Sequence, residues 1–388
     1  MNKFEQAAQR RMVPPSQTRR GKPRGGVIQI HVTRLCDKSC FACTQGSNYK
    51  PLEGVQQFIT LEQFEQAVVS LKSYFGVVGV FGGNPALHPE FVGLCDVLRK
   101  HIPKDRCGLW CNNPISPVKA QAMRETFNPA VSNLNCHLDT KAYDMFKEHW
   151  PECRPFGLED DSRHSPVFVS MKDVLSVKCG WCNGSGEVWA DELQTGMTEC
   201  MECDGTGETW DEEQAWKLIQ QCDINQHWSA MVGVFRGELR GWFCEIAGAQ
   251  SILQQNNPDY PDTGIPVVCN DCEQRWKLPP SDPMAMYERC DTCCGQEWWQ
   301  HGMEHYWDQV KKHCHECSVP LRGYGELACS TDGTEQISDQ YQDFCNPKDS
   351  NRRIEVVTTL EELKAQALSK TTDYLGNAKR QNDERDLQ

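Results

Sequence analysis

Residues 32–46 read VTRLCDKSCFACTQG and directly follow VIQIHV, residues 27–32, a run in which apolar and polar side chains partly alternate. Such a run is a strand signal, and the loop that leaves it carries Cys36, Cys40 and Cys43 at CxxxCxxC spacing. Three clustered thiolates are soft ligands suited to iron–sulfur clusters, zinc or cuprous copper. A three-cysteine set leaves the fourth iron of a cubane cluster open to an outside ligand. A zinc site of the usual kind wants a fourth Cys or His nearby, and His31, inside the strand run, is poorly placed for it.

Outward from that stretch, short β-rich runs alternate with helical ones, the order of βα units around a parallel sheet. Thr60 and Gln63 form a capping-box pair ahead of a helix whose Leu61, Phe64, Ala67, Val68 and Leu71 share one apolar face. Strands are expected over 76–81, 107–111, 131–138, 167–171 and 229–235, and helices over 90–100, 117–127, 142–149, 211–222 and 245–255. Between the second strand and the helix at 90 lies FGGNPALHPEF, residues 81–91, where Gly82 and Gly83 permit a sharp turn and a close backbone approach to a ligand.

The cysteine run and this glycine motif together resemble the radical S-adenosylmethionine superfamily. The resemblance implies an α/β fold, a partial (β/α)6 TIM-like barrel, in which Cys36, Cys40 and Cys43 hold three irons of a 4Fe-4S cluster. S-adenosylmethionine then chelates the fourth iron through its amino and carboxylate groups. Gly82, Gly83, Asn84 and Pro85 stand where the family commonly reads GGEP, whose acidic side chain meets the cofactor's amino group. Here Asn84 replaces that carboxylate, which exchanges a charge-assisted bond for a neutral one. The aromatic residue that often precedes the third cysteine is Ala42, and Phe41, one position earlier, either serves the adenine from a shifted angle or packs the loop. His88 and Glu90 read as helix-capping residues. Asp139, at the end of a strand, is read as a helix cap or as a contact to ribose or substrate.

Cysteine arithmetic adds further sites. The chain has 23 cysteines, many in CxxC pairs, which is metal-ligand spacing more than a disulfide framework. CGWCNGSG and CMECDGTG place Cys179, Cys182, Cys200 and Cys203 in two CxxCxGxG repeats, a four-thiolate zinc pattern. They resemble half of the cysteine-rich region of DnaJ-type chaperones. Cys269, Cys272, Cys290 and Cys293 repeat the arithmetic as a second zinc ribbon or an auxiliary iron–sulfur cluster, the latter by resemblance to SPASM and twitch extensions. Cys244, Cys314, Cys317 and Cys329 form a further auxiliary-cluster grouping. Cys95, Cys107, Cys111, Cys136 and Cys222 read as small buried apolar residues.

The domains so expected are a basic disordered arm over 1–25, a core barrel over 26–258 interrupted by the zinc insertion at 177–209, a cysteine-rich extension over 259–346 and a charged tail over 347–388. A net charge of −14 argues against a general nucleic-acid surface; the arm, near +6, is the one segment suited to it. With no signal-like or membrane-length apolar run, the cytoplasm is the expected compartment. The expected function is reductive cleavage of S-adenosylmethionine to a deoxyadenosyl radical that abstracts hydrogen from substrate. An electron donor such as flavodoxin or ferredoxin is implied. A peptide or protein substrate is slightly favoured over a sugar or nucleotide, because the insertion is chaperone-like and the body acidic. The alternative is a non-catalytic zinc or iron–sulfur adaptor on a degenerate barrel.

Overall fold

A computed structural model describes residues 1–17, 26–38, 43–46, 56–158, 171, 175–189, 197–203, 205–222, 225, 229–268, 296–317 and 319. The chain forms α1 (Lys3–Arg11), β1 (Val27–Thr33), α2 (Leu61–Ser70), β2 (Val77–Gly82), α3 (Phe91–His101), β3 (Cys107–Cys111), α4 (Pro117–Thr126), β4 (Asn133–Leu134) and α5 (Thr140–His149). The insertion supplies β5 (Ser176–Lys178), β6 (Glu187–Trp189), β7 (Met197–Glu199) and β8 (Glu208–Trp210). There follow α6 (Glu212–Ile219), β9 (Ser229–Phe235), β10 (Glu238–Trp242), α7 (Glu245–Leu253), β11 (Ile265–Pro266) and α8 (Trp307–His313).

The fold is α/β around one seven-stranded sheet in the order β11-β10-β9-β1-β2-β3-β4. Strands β9, β1, β2, β3 and β4 run parallel, and an isolated parallel bridge from Asn135 to Phe156 adds one more lane beyond β4. The last parallel strand therefore returns to the first, Val27 pairing Ser229 and Ile30 pairing Val232. Of the strand expected over 167–171, residues 167–170 lie outside the described residues, and Met171 is helical, its carbonyl accepting from Leu175 N at 2.8 Å.

Local chemistry accounts for these elements. Ile28, Ile30 and Val32 of β1 are buried on one face and Gln29, His31 and Thr33 on the other, so the strand is covered on both sides. The Thr60 and Gln63 capping box opens α2, and Phe64, Ala67, Val68 and Leu71 are buried as their spacing predicts. The expected strand over 131–138 shrinks to two residues because Pro129–Val131 form a 3-10 turn and His137 and Leu138 take positive φ. β9 and β10 form an antiparallel hairpin turned by Arg236 and Gly237 at φ +50° and +84°, the two-positive-φ turn that matches strand twist.

Two expected boundaries change. Residues 3–11 of the arm are helical: Asn2 and Glu5 form a capping box, Ala8 and Met12 are buried, and Asn2 Nδ2 donates to Glu212 at 2.9 Å. The cysteine-rich extension is in part integral to the core, since β11 joins the sheet edge and the buried Trp298 and Trp299 donate to Ser70 Oγ and Ser70 O at 3.3 and 2.8 Å. Among the described residues no helix is long and apolar enough to cross a membrane.

Candidate functional site

The loop that carries Cys36 leaves the C-terminal end of β1, the end of a parallel sheet at which sites are built. It is pinned to the strands beside it. Gly83 N donates to Thr33 O at 2.9 Å and Asn84 N to Leu35 O at 2.7 Å. A Cβ on Gly82, whose φ is +145°, would stand 2.3 Å from Thr33 O, and one on Gly83 would stand 2.2 Å from Leu35 O. The close approach that the sequence reserves for a ligand is made here by the cysteine loop's own backbone.

Asn84 is fully buried and fully bonded. Its Nδ2 donates to Asp37 Oδ1 at 2.8 Å and to Asn113 O at 3.0 Å, while Oδ1 accepts from Ala86 N at 3.1 Å and faces Cys111 Sγ at 3.2 Å. Pro85 is the first residue of the 3-10 turn that Asn84 caps. The side chain expected to meet a cofactor amino group is thus committed within the fold. Asp37 supplies the nearby negative charge, its Oδ2 accepting from Asn113 Nδ2 at 3.0 Å.

Asp139 does two things. Oδ1 accepts from Ala142 N at 3.0 Å, the helix cap expected from sequence, and Oδ2 accepts from Lys38 Nζ at 2.8 Å. Burial works to raise the Asp139 carboxyl, but the Lys38 ammonium and the cap outweigh it and hold it below its ordinary range. Lys38 is likewise held above its ordinary value, burial being overcome by Asp139 and Asp37. The loop is thereby tied to the ends of β2, β3 and β4.

Cys36 is 8% exposed, and burial, with Asp37 and Cys43 nearby, pushes its thiol up when no metal is bound. Asn112, just beyond β3 and 6% exposed, donates from Nδ2 to Cys36 Sγ at 3.5 Å. Its buried Oδ1 has no hydrogen-bond partner among the described residues. Cys43 is half-buried. Cys40 and Phe41 lie outside the described residues. His31 packs edge-on to Phe81 with centroids 5.5 Å apart, and burial pushes it down to about 3. His88 Nδ1 accepts from Glu90 N at 3.1 Å and Nε2 donates to Ile59 O at 2.8 Å, so His88 caps while the Glu90 side chain does not.

In the insertion, the ligand atoms of Cys179, Cys182, Cys200 and Cys203 all lie within 4.8 Å of one another. Gly186 N and Gly207 N each donate to the sulfur four residues earlier, Cys182 and Cys203, at 3.3 Å. Short ladders β5–β8 and β6–β7 flank this four-sulfur set, which is compact enough to hold a metal ion. At the turn tips Trp181 is 76% exposed and Met201 91%.

A second convergence involves a residue that sequence reasoning set aside. Cys222, Cys244, Cys314 and Cys317 together line an apolar cavity of about 20 Å³, and their mutual proximity reinforces burial in raising the Cys314 thiol. Cys244, Cys314 and Cys317, grouped in the sequence reading, line this cavity together, and Cys222, buried as the sequence reading has it, lines it as well. Cys329, expected in that role, lies outside the described residues, as do Cys269, Cys272, Cys290 and Cys293. His313 also lines the cavity, yet its ring is spent on Thr263 Oγ1 and Gln250 Oε1, each at 2.9 Å. Among the described residues, the insertion set is the group whose four ligand atoms all lie within 4.8 Å of one another.

Asp37, Lys38, Asn112 and Asn113 were not singled out from sequence. The available signal was position, a polar pair at the carboxyl end of a predicted strand and two charges between ligand cysteines.

No protein-family model matches the chain, and no curated protein does. Solved structures share part of its path. The crystal structure of BtrN in complex with AdoMet and 2-DOIA aligns over 60% of this chain and 82% of that one, with a TM-score of 0.34 and 13% identity. Native anSMEcpe with bound AdoMet aligns over 33% of this chain and 42% of that one, with a TM-score of 0.25 and 18% identity.

Proposed function

We propose that the protein is a radical S-adenosylmethionine enzyme whose cluster is held by Cys36, Cys40 and Cys43. The observation that carries this reading is the clamped loop: a CxxxCxxC run at the carboxyl end of β1, bonded to the ends of three further strands, with Cys36 buried beside an unsatisfied acceptor on Asn112. The donor set fits an iron–sulfur cluster, being soft and one ligand short of closure, with Cys36 buried and Cys43 half-buried. When bound, the cluster supplies the electron that cleaves S-adenosylmethionine to a deoxyadenosyl radical, which abstracts hydrogen from substrate.

The residues around it position and shield. Gly83 and Asn84 hold the loop's backbone, Asp37 and Lys38 fix its first turn, and Leu253 of α7 packs against Gly46, where an added Cβ would meet it at 2.8 Å. The insertion set would hold one zinc. Cys222, Cys244, Cys314 and Cys317, which line one buried apolar cavity, would hold a second metal centre. A one-electron donor of the flavodoxin or ferredoxin type is required. The exposed Trp181 and Met201 support a peptide or protein substrate over a sugar or nucleotide.

The test is anaerobic reconstitution with iron and sulfide, followed by dithionite and S-adenosylmethionine. Deoxyadenosine is expected, and none from a Cys36→Ala variant. A fully reconstituted protein that forms no nucleoside would favour the non-catalytic adaptor, the reading to which the committed Asn84 side chain lends weight.

A further inference from the structure

Among the described residues, Asn112 has a buried side chain that touches Cys36 and still has bonding capacity to spare. Its amide is oriented by donating to Cys36 Sγ at 3.5 Å, which turns Oδ1 away from the sulfur. That oxygen is buried and without a partner among the described residues, on a side chain 6% exposed. A buried carbonyl oxygen left unbonded is destabilising, so it marks a place for a donor. The neighbouring candidate offers no such capacity: Asn84 has both its oxygen and its nitrogen engaged.

We infer that Asn112 is the residue of this chain that receives an N–H of the amino group of S-adenosylmethionine, in place of the committed residue at position 84. The inference rests on the radical S-adenosylmethionine reading above. The chemistry of the methionyl end decides which group is received: its carboxylate only accepts, its sulfonium does neither, and its amino group donates, which is what an orphaned acceptor requires. The Asp37 carboxylate, held by Asn84 and Asn113, adds negative charge that favours an N–H donor.

The experiment is a binding cycle on anaerobically reconstituted protein, with iron content and circular dichroism recorded for each variant. Affinities for S-adenosylmethionine and for its analogue lacking the α-amino group are measured by calorimetry for wild type, Asn112→Leu and Asn112→Asp. Comparing the two ligands within each protein removes any general effect of a substitution on the cluster. The wild-type preference for the aminated ligand should fall by up to about tenfold in Asn112→Leu, the loss expected for one hydrogen bond. Asn112→Asp, which keeps an acceptor and adds charge, should retain the preference. An unchanged preference in Asn112→Leu with iron content intact would overturn the assignment and leave the enzyme reading standing. Should iron-loaded wild type bind neither ligand, the enzyme reading fails and this inference with it.

Discussion

Lys38 Nζ lies 2.8 Å from Asp139 Oδ2, an ion pair that joins the cysteine loop after β1 to the first turn of α5, 101 residues further along the chain. The pair is mostly buried, with side-chain exposures of 11% and 23%. Asn at position 139 would still cap α5, because Asn and Asp are comparable caps, so Asp139→Asn isolates the tether. The variant should lose about 1–2 kcal/mol at neutral pH. The sign of its pH dependence follows from a carboxyl whose folded pKa is depressed. That stabilisation is fully present above the unfolded value, about 3.9, and is lost as pH falls through the lower folded value. Urea titrations should therefore show a gap between wild type and variant that is constant above about pH 4 and narrows below it. A gap that widens on acidification would contradict the tether.

Asn84→Asp should be harmful although it brings the chain nearer to the acidic GGEP pattern. It removes the donor to Asp37 and to Asn113 O and sets two carboxylates against each other at a fully buried position. A loss of about 2–4 kcal/mol is expected in thermal or denaturant unfolding. Adding Asp37→Asn should recover part of it, and additivity of the two substitutions would show that the side chains do not interact.

The insertion should carry one zinc of its own. Cys179→Ala should lower zinc by one equivalent per chain and remove amide protection from β5 to β8 while the central sheet keeps its own, because the closed set holds only short ladders. Full zinc content in that variant would exclude the site.

Cys222 separates the two groupings of C-terminal cysteines. Cys222→Ala should reduce iron or zinc bound per chain, whereas Cys95→Ala should leave metal content unchanged and cost only packing, because Cys95 is a buried residue on α3 with Thr126 as its hydrogen-bonding neighbour. Equal metal in the Cys222→Ala protein would return Cys222 to the role of buried spacer.

How much of this was legible beforehand follows from which interactions are local. The β1 run, the α2 capping box, Cys107–Cys111 and Ser229–Phe235 were readable because strand and cap chemistry are written within a few residues. The insertion's four sulfurs were readable because CxxCxGxG turns carry their own geometry. The β9–β10 hairpin went unread although Arg236 and Gly237 supply its turn, and α8 was hidden by the cysteine-rich composition around it. Cys222, 22 residues before Cys244 and far from Cys314, gave no local cue to its partners. The same holds for Asn84, whose partner Asp37 is 47 residues away, and for Asn112, 76 residues from the sulfur it bonds.

The most direct measurement is low-temperature electron paramagnetic resonance of anaerobically reconstituted, dithionite-reduced protein, with and without S-adenosylmethionine, beside a variant lacking Cys36, Cys40 and Cys43. The account predicts a reduced-cluster signal that is present in wild type, absent from the variant and altered by the nucleoside. Zinc alone at that loop, or a spectrum identical in the two proteins, would contradict it.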